Sequence, residues 1–352
     1  MADSPHDIFW YCLKSEKTFS ETRPLPEKIH RTKTAEHKTD YRWIDYWRLS
    51  KEFTRIIDKI KPGLIHAGPV QTVALLPALS GAHPLVSMSW GFDMLEDARR
   101  NCIWRWVTRF VLSRSDWLIA DCHTVKKEAQ KLGFSGNRVS VFPWGVDLAL
   151  FRPVDKEKAK ETLGFDKRFT IVHTRSWAPR YGVDVMLEGF RRALEAIPDL
   201  HLVMLGGGSQ ADAVKMYRKD NHLENSITLA GYQTNDKLML YYQAADAYLS
   251  ASHVDGSSVA LLEAMACGTP AIVSDIPSNL EWVINGENGW VFREDDPGAL
   301  ASSLAAAFHA KGNSDRYRMA ARQKTEKDAD WTKGVDKLLE TYEQAAMDGA
   351  SK

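Results

Sequence analysis

Cysteine is scarce in this chain. The four present (Cys12, Cys102, Cys122, Cys267) are too widely spread for a metal-ligand or disulfide framework. They read as reduced thiols. No stretch reaches the roughly 18 apolar residues of a spanning helix, and the N-terminus lacks the apolar core of a secretory leader. Charge of one sign is missing too: 46 basic residues face 46 acidic ones, a formal net charge of zero. That argues against a global attraction to nucleic acid or anionic membrane, though not against a local patch. No H-x-x-x-H or H-E-x-x-H pattern occurs, and no D-x-D in a setting that demands a metal. Internal repeats and low-complexity tracts are absent. The expected location is the cytoplasm, with peripheral attachment at the inner face of a membrane left open.

What is present fits a globular protein. Hydrophobic residues make up 44% and charged residues 26% of 352, a length for about two domains. Short apolar runs alternate with helical patterns. The strand candidates are 8–12, 63–67, 85–89, 117–120 and 138–142, then 170–173, 200–205, 226–230, 247–250, 271–274 and 289–292. Helical segments lie at 46–60, 124–132, 183–196, 211–221, 234–245 and 258–266. Such alternation means crossover units and parallel sheets covered on both faces. Two series predict an α/β protein of two Rossmann-like, doubly wound domains facing across a cleft. The expected boundary lies near Phe151-Arg152-Pro153, giving domains 1–150 and 151–330. A last helix at 331–346 is expected to pack back on the first domain. The polar stretch from Lys14 to Asp40 reads as a long loop.

The densest chemical signal is Asp255–Pro270, D-G-S-S-V-A-L-L-E-A-M-A-C-G-T-P. A polar loop with one carboxylate leads into an apolar helix that carries a second, Glu263. Gly268 and Pro270 end that helix. A helix start offers free N–H groups and the positive end of its dipole to a phosphate. A carboxylate accepts hydrogen bonds from sugar hydroxyls. Arg175 and Arg180, five apart on one loop, suit bidentate capture of phosphate oxygens. A plain solvated loop is the other reading of those arginines.

The stretch Asp255–Asp275 resembles the signature of retaining glycosyltransferases of family 4, which have the GT-B fold. Supporting pieces follow in family order: Ser89-Trp90-Gly91-Phe92-Asp93, Val141–Asp147, His173-Thr174-Arg175, Pro179–Asp184, Gly206-Gly207-Gly208, Glu281 and Asn288-Gly289. The matches span roughly 60–300. Any one alone is weak.

The resemblance implies a reaction and assigns roles. A sugar passes from a nucleoside diphosphate sugar, UDP- or GDP-linked, to a hydroxyl acceptor on a sugar, glycan or lipid carrier, with retained anomeric configuration. The implied catalytic group is Arg175, Arg180 and Asp255; the family usually has Lys at the second place and Glu at the third. Glu263 would hold the ribose hydroxyls. Gly256, Ser257, Ser258, Val259, Gly207 and Tyr232 would line the donor site. Ser257 or Ser258 would cap the helix in any case, and Tyr232 reads equally as packing. Trp90, Asp93 and His123 would lie on the acceptor side, with Trp90 as core and His123 as a capping residue standing beside that. No metal or other cofactor is implied, since arginines and a helix dipole neutralise the diphosphate in this fold.

No nucleic-acid partner is expected. Trp104–Arg114 mixes aromatic and basic residues; it reads as a core-facing helix with outward arginines or as a bilayer contact. The family's glycine-rich loop after the first strand is missing, as though one strand–helix unit were absent. A nucleotide-sugar-binding subunit without turnover, or a GT-B phosphorylase or epimerase, therefore stands as the alternative.

Overall fold

The computed structural model describes residues 6–13, 27–33, 43–165 and 168–350. The first half runs β1 (Ile8–Cys12), β2 (Ile29–Lys33), α1 (Trp43–Ile60), β3 (Ile65–Ala67), α2 (Leu75–Ser80), β4 (Leu85–Met88), α3 (Phe92–Leu95), α4 (Cys102–Arg114), β5 (Trp117–Ala120), α5 (His123–Lys131) and β6 (Val139–Val141). The second half runs α6 (Lys156–Leu163), β7 (Phe169–His173), α7 (Val183–Ala196), β8 (Leu200–Leu205), α8 (Ala211–Asp220), β9 (Ile227–Gly231), α9 (Asn235–Ala244) and β10 (Ala247–Ser250). It ends with α10 (Val259–Ala266), β11 (Ala271–Ser274), β12 (Gly289–Phe292), α11 (Pro297–His309), α12 (Ser314–Asp328) and α13 (Trp331–Ala350).

Two all-parallel sheets form the frame. One has the order β3-β4-β5-β6 and the other β12-β11-β10-β7-β8-β9. The jump from β10 to β7 in the second sheet is a strand-order reversal, where such folds open a crevice beyond the strand carboxyl ends. Strands β7, β8, β10 and β11 are buried along their whole length. That burial explains why they read as continuous apolar runs rather than alternating ones. Helices α7 and α11 cover one face through Phe190, Met186, Leu300 and Leu304. On the other face, α10 buries Leu261, Leu262 and Met265 with Tyr242, Tyr248 and Val273.

The last helix does lie on the first sheet. Ala345 packs with Val86, Met88, Ile119 and Phe142, and the Tyr342 hydroxyl lies 2.7 Å from His66 Nδ1. The polar stretch 14–40 departs from expectation. It contains β2, which pairs in parallel with β1 in a separate two-stranded sheet, Ile8 opposite Ile29. The strand I-H-R-T-K carries little apolar periodicity, so its pairing, not its pattern, makes it a strand. The flanking 14–26 and 34–42 lie outside the described residues.

Candidate active site

Helix α10 forms one wall of the crevice. The Ser258 side chain caps it, accepting from the Leu261 N–H at 3.4 Å. At its far end Gly268 takes a left-handed φ of 73°, and the Thr269 N–H returns to the Ala264 carbonyl at 2.9 Å. By helix geometry the first-turn N–H groups, including Val259, have no intrahelical acceptor.

The predicted carboxylates sit one at each end of this turn. Asp255 Oδ2 lies 2.6 Å from Arg175 Nη2, a close ion pair rather than an aligned hydrogen bond. Its Oδ1 accepts the Gly256 N–H at 3.1 Å. The Arg175 guanidinium also stacks 4.4 Å above the Tyr181 ring. Burial works against that cation, and the Asp255 carboxylate together with Tyr248, Tyr181 and Tyr242 more than offsets it. Glu263 is half-buried, and burial pushes its carboxyl up to about 7. One hydrogen bond opposes the rise: the Tyr242 hydroxyl donates to Oε2 at 3.1 Å. Thr174 Oγ1 in turn lies 3.0 Å from that hydroxyl. A chain of polar groups therefore links the Arg175 loop to Glu263.

The arginine loop is held firmly. The His253 N–H donates to the Arg180 carbonyl at 2.9 Å. Gly182 has φ 58°, and a Cβ there would fall on the Ala251 carbonyl. The neighbouring glycine turn is built alike. The Trp177 N–H donates to the Gly207 carbonyl at 2.9 Å, and a Cβ on Gly208 would strike the Trp177 backbone. Tyr232 is 83% exposed, yet its ring borders Gly207, where a Cβ would lie 3.3 Å from it. A flat aromatic face beside a side-chain-free turn is a stacking platform for a planar ring.

The opposite wall comes from the first sheet and lies in direct contact. A Cβ on Gly91 would meet the Gly256 backbone, and one on Gly256 would fall on the Asp121 carboxylate. The Ser257 N–H donates to Asp121 Oδ2 at 2.9 Å, and its hydroxyl to the Asp121 carbonyl at 2.6 Å. Trp282 Nε1–H donates to the same hydroxyl at 3.0 Å. Glu281 reaches across to the start of α5 and accepts from His123 N–H and Thr124 N–H, both at 2.8 Å. Arg180 Nε lies 2.6 Å from Glu96 Oε2, and its guanidinium sits over Phe92. The two walls are thus joined at three places.

These contacts correct several expectations. Ser257 does not offer its N–H to a ligand here; Asp121 already accepts it. Asp93 does not line the acceptor side. It is fully buried, and its carboxylate accepts from Val70 N–H, Ser89 Oγ–H, Trp90 N–H and Met94 N–H, so it organises its own loop. The start of α5 at His123 is occupied by Glu281, and the His123 side chain is exposed. Trp90 does stand at the crevice, 45% exposed and edge-on to Trp144 at 6.4 Å.

Sequence reasoning missed Glu96 and Tyr242, and gave Asp121, Trp144 and Thr174 no role of their own within their motifs. Burial pushes the Asp121 carboxyl up to about 7; the Ser257 N–H lowers it, and the charges of Asp93 and Asp255 raise it further. No cluster of three or more His, Cys, Asp or Glu side chains placed for a metal occurs among the described residues. The D-x-D at 328–330 is engaged otherwise: Asp328 pairs with Lys324 and Asp330 accepts from Thr332.

Comparison with known proteins assigns the family. Residues 155–324 match the profile described as glycosyl transferases group 1, and residues 1–150 that of glycosyltransferase family 4. The chain belongs to glycosyltransferase family 4. It is 31% identical over 251 residues to the D-inositol 3-phosphate glycosyltransferase of Mycolicibacterium gilvum, covering 68% of this chain and 54% of that protein. It thus spans about half the length of that relative. It is 27% identical over 302 residues to a UDP-Gal:alpha-D-GlcNAc-diphosphoundecaprenol alpha-1,3-galactosyltransferase of Escherichia coli, covering 82% and 77%. Sucrose-phosphate synthase of Thermosynechococcus elongatus superposes with a TM-score of 0.81 at 18% identity, covering 96% and 88%. Anabaena HepE in complex with UDP gives 0.76 at 17%, covering 90% and 86%. These likenesses show the fold, which is GT-B.

Proposed function

We propose that this family 4 chain transfers a sugar from a nucleoside diphosphate sugar to a hydroxyl acceptor with retention of anomeric configuration. The observation that carries this is the joining of Arg175, Asp255, Tyr242 and Glu263 around the first turn of α10. A UDP-linked donor fits the relatives, one of which is named for UDP-Gal and one of which is solved with UDP. The acceptor is a sugar, glycan or lipid-linked hydroxyl.

In this reading the base stacks on Tyr232 beside Gly207, and ribose hydroxyls donate to Glu263. The diphosphate meets Arg175, Arg180 and the dipole at the start of α10. Negative charge builds on the leaving diphosphate as the glycosidic bond breaks, and fixed cations in a water-poor crevice stabilise it. Arg180 must release Glu96 to reach the phosphate, so this ion pair competes with donor binding. Asp255 orients the sugar; its grip on Arg175 keeps leaving-group cation and sugar-side carboxylate in one register. Trp90 and Trp144 offer apolar faces to the acceptor ring.

The test is turnover with UDP-, GDP- and ADP-sugars against a panel of sugar and lipid-linked acceptors. Arg175→Ala should lower kcat by about 10²–10³, the scale for losing one preorganised charge-stabilising group. Nucleotide binding without turnover by any acceptor would reduce the reading to a binding subunit.

A further inference from the structure

Helix α4 follows directly on Phe92–Arg99 and presents an unusual outer face. Its inner residues Val107, Thr108, Val111 and Leu112 are buried against the first sheet. Ile103 and Trp106 lie along the other side, and Phe110, partly buried against the core, continues their i, i+3, i+7 row at its edge. Ile103 is 58% and Trp106 64% exposed, and the Trp106 and Phe110 rings stack at 5.6 Å with planes 11° apart. A globular protein seldom leaves an indole standing in water over a helical ridge of this kind.

The charges around the ridge are one-sided. Residues 97–114 hold five arginines (99, 100, 105, 109, 114) and one aspartate, in a chain whose net charge is zero. Arg99 pairs with Glu128, Arg100 lies over Trp104 and Arg114 over Phe110. Arg105 and Arg109 are exposed one turn apart. An apolar ridge bordered by arginines, with Trp at its centre, is the build of a helix lying in a bilayer interface. The same arginines reach the mouth of the active-site crevice: Arg99 and Arg100 line a hollow with Glu96, Asp97, Arg180 and Val254.

We propose that the outer face of α4 docks on an anionic lipid bilayer and holds the crevice mouth at the headgroup plane. A membrane-borne acceptor would then enter the crevice beside Arg180 without leaving the bilayer. The docking rests on charge complementarity and on the ridge. Only its role in acceptor delivery rests on the transferase reading.

The test is cosedimentation of the full chain with vesicles of phosphatidylcholine alone or with 30% phosphatidylglycerol, an arbitrary but sufficient negative charge. Binding is expected only to the anionic vesicles and should weaken as salt rises. At about a fivefold partition change per interfacial basic side chain, Arg105→Gln with Arg109→Gln should weaken binding roughly 30-fold. Trp106→Ala should weaken it independently of salt. UDP-sugar binding, measured in parallel without vesicles, should be unchanged in these variants. Equal binding to neutral vesicles, no binding to either, or variants that bind as the parent does would overturn the proposal. So would a dimer in solution that Trp106→Ala dissolves while vesicles are ignored. Loss of UDP-sugar binding by the parent chain, with vesicle docking intact, would instead defeat the transferase reading alone.

Discussion

The carboxyl of Glu263 is held at about 7 by burial, with only the Tyr242 hydroxyl favouring its ionised form. Ribose hydroxyls donate to both oxygens of the ionised carboxylate but to only one oxygen of its protonated form. Donor affinity should therefore rise with pH and level off above 7. For a single group titrating near 7 in the free protein, affinity falls by at most about tenfold at pH 6 and about 100-fold at pH 5. A nucleotide sugar is the right probe, because its diphosphate has no free terminal group titrating near pH 6 as a phosphate monoester does. Calorimetric titration from pH 5.5 to 8, repeated in buffers of different ionisation heat, reads both the affinity and the proton released. Glu263→Gln keeps one acceptor oxygen but cannot titrate. It should bind more weakly at pH 8 and lose the slope below 7. A flat profile in the parent chain, or an undiminished slope in Glu263→Gln, would refute the assignment.

Three further outcomes follow from the same geometry. Asp121 has a folded pKa of about 7 against an ordinary 3.8, so its contribution favours folding at low pH and is lost as pH rises to 7. Asp121→Asn should leave thermal stability unchanged near pH 4 and raise it at pH 8, by at most roughly 4 kcal/mol. Gly256→Ala would drive a methyl group into Asp121 and force the walls apart; turnover should fall by about 10²-fold, the scale for displacing reacting groups by an ångström, with a larger radius in solution scattering. Glu96→Ala frees Arg180 from the Glu96 carboxylate and should tighten UDP-sugar binding, read by the same calorimetry.

Much of the donor wall is visible in the sequence because it is local. Asp255, Ser258, Glu263 and Gly268 lie within one loop and one helix, and cap and carboxylate spacing follow from helix geometry. Strands β7, β8, β10 and β11 announce themselves as apolar runs because both faces are covered. The joints between the walls are not visible. Asp121–Ser257, Glu281–His123 and Arg180–Glu96 pair residues far apart in the chain. No spacing rule connects them, so Ser257 reads as a free donor until Asp121 is seen beneath it. Asp93 misleads for a similar reason. A carboxylate in a W-G-x-D loop looks like a ligand contact, while four surrounding donors engage it inside the loop. Strand β2 escapes because its side chains are mostly polar and β1 alone gives it register.

The claim that the α10 wall is a nucleotide-sugar site is tested most directly by thermal unfolding with UDP-, GDP- and ADP-sugars. A donor at about 100 times its dissociation constant should add ~2.7 kcal/mol to the stability of the parent chain. The gain should vanish in the Arg175→Ala, Glu263→Ala double variant while its unliganded unfolding remains cooperative. No stabilisation of the parent by any of the three nucleotide sugars, or equal stabilisation of the double variant, would contradict the account.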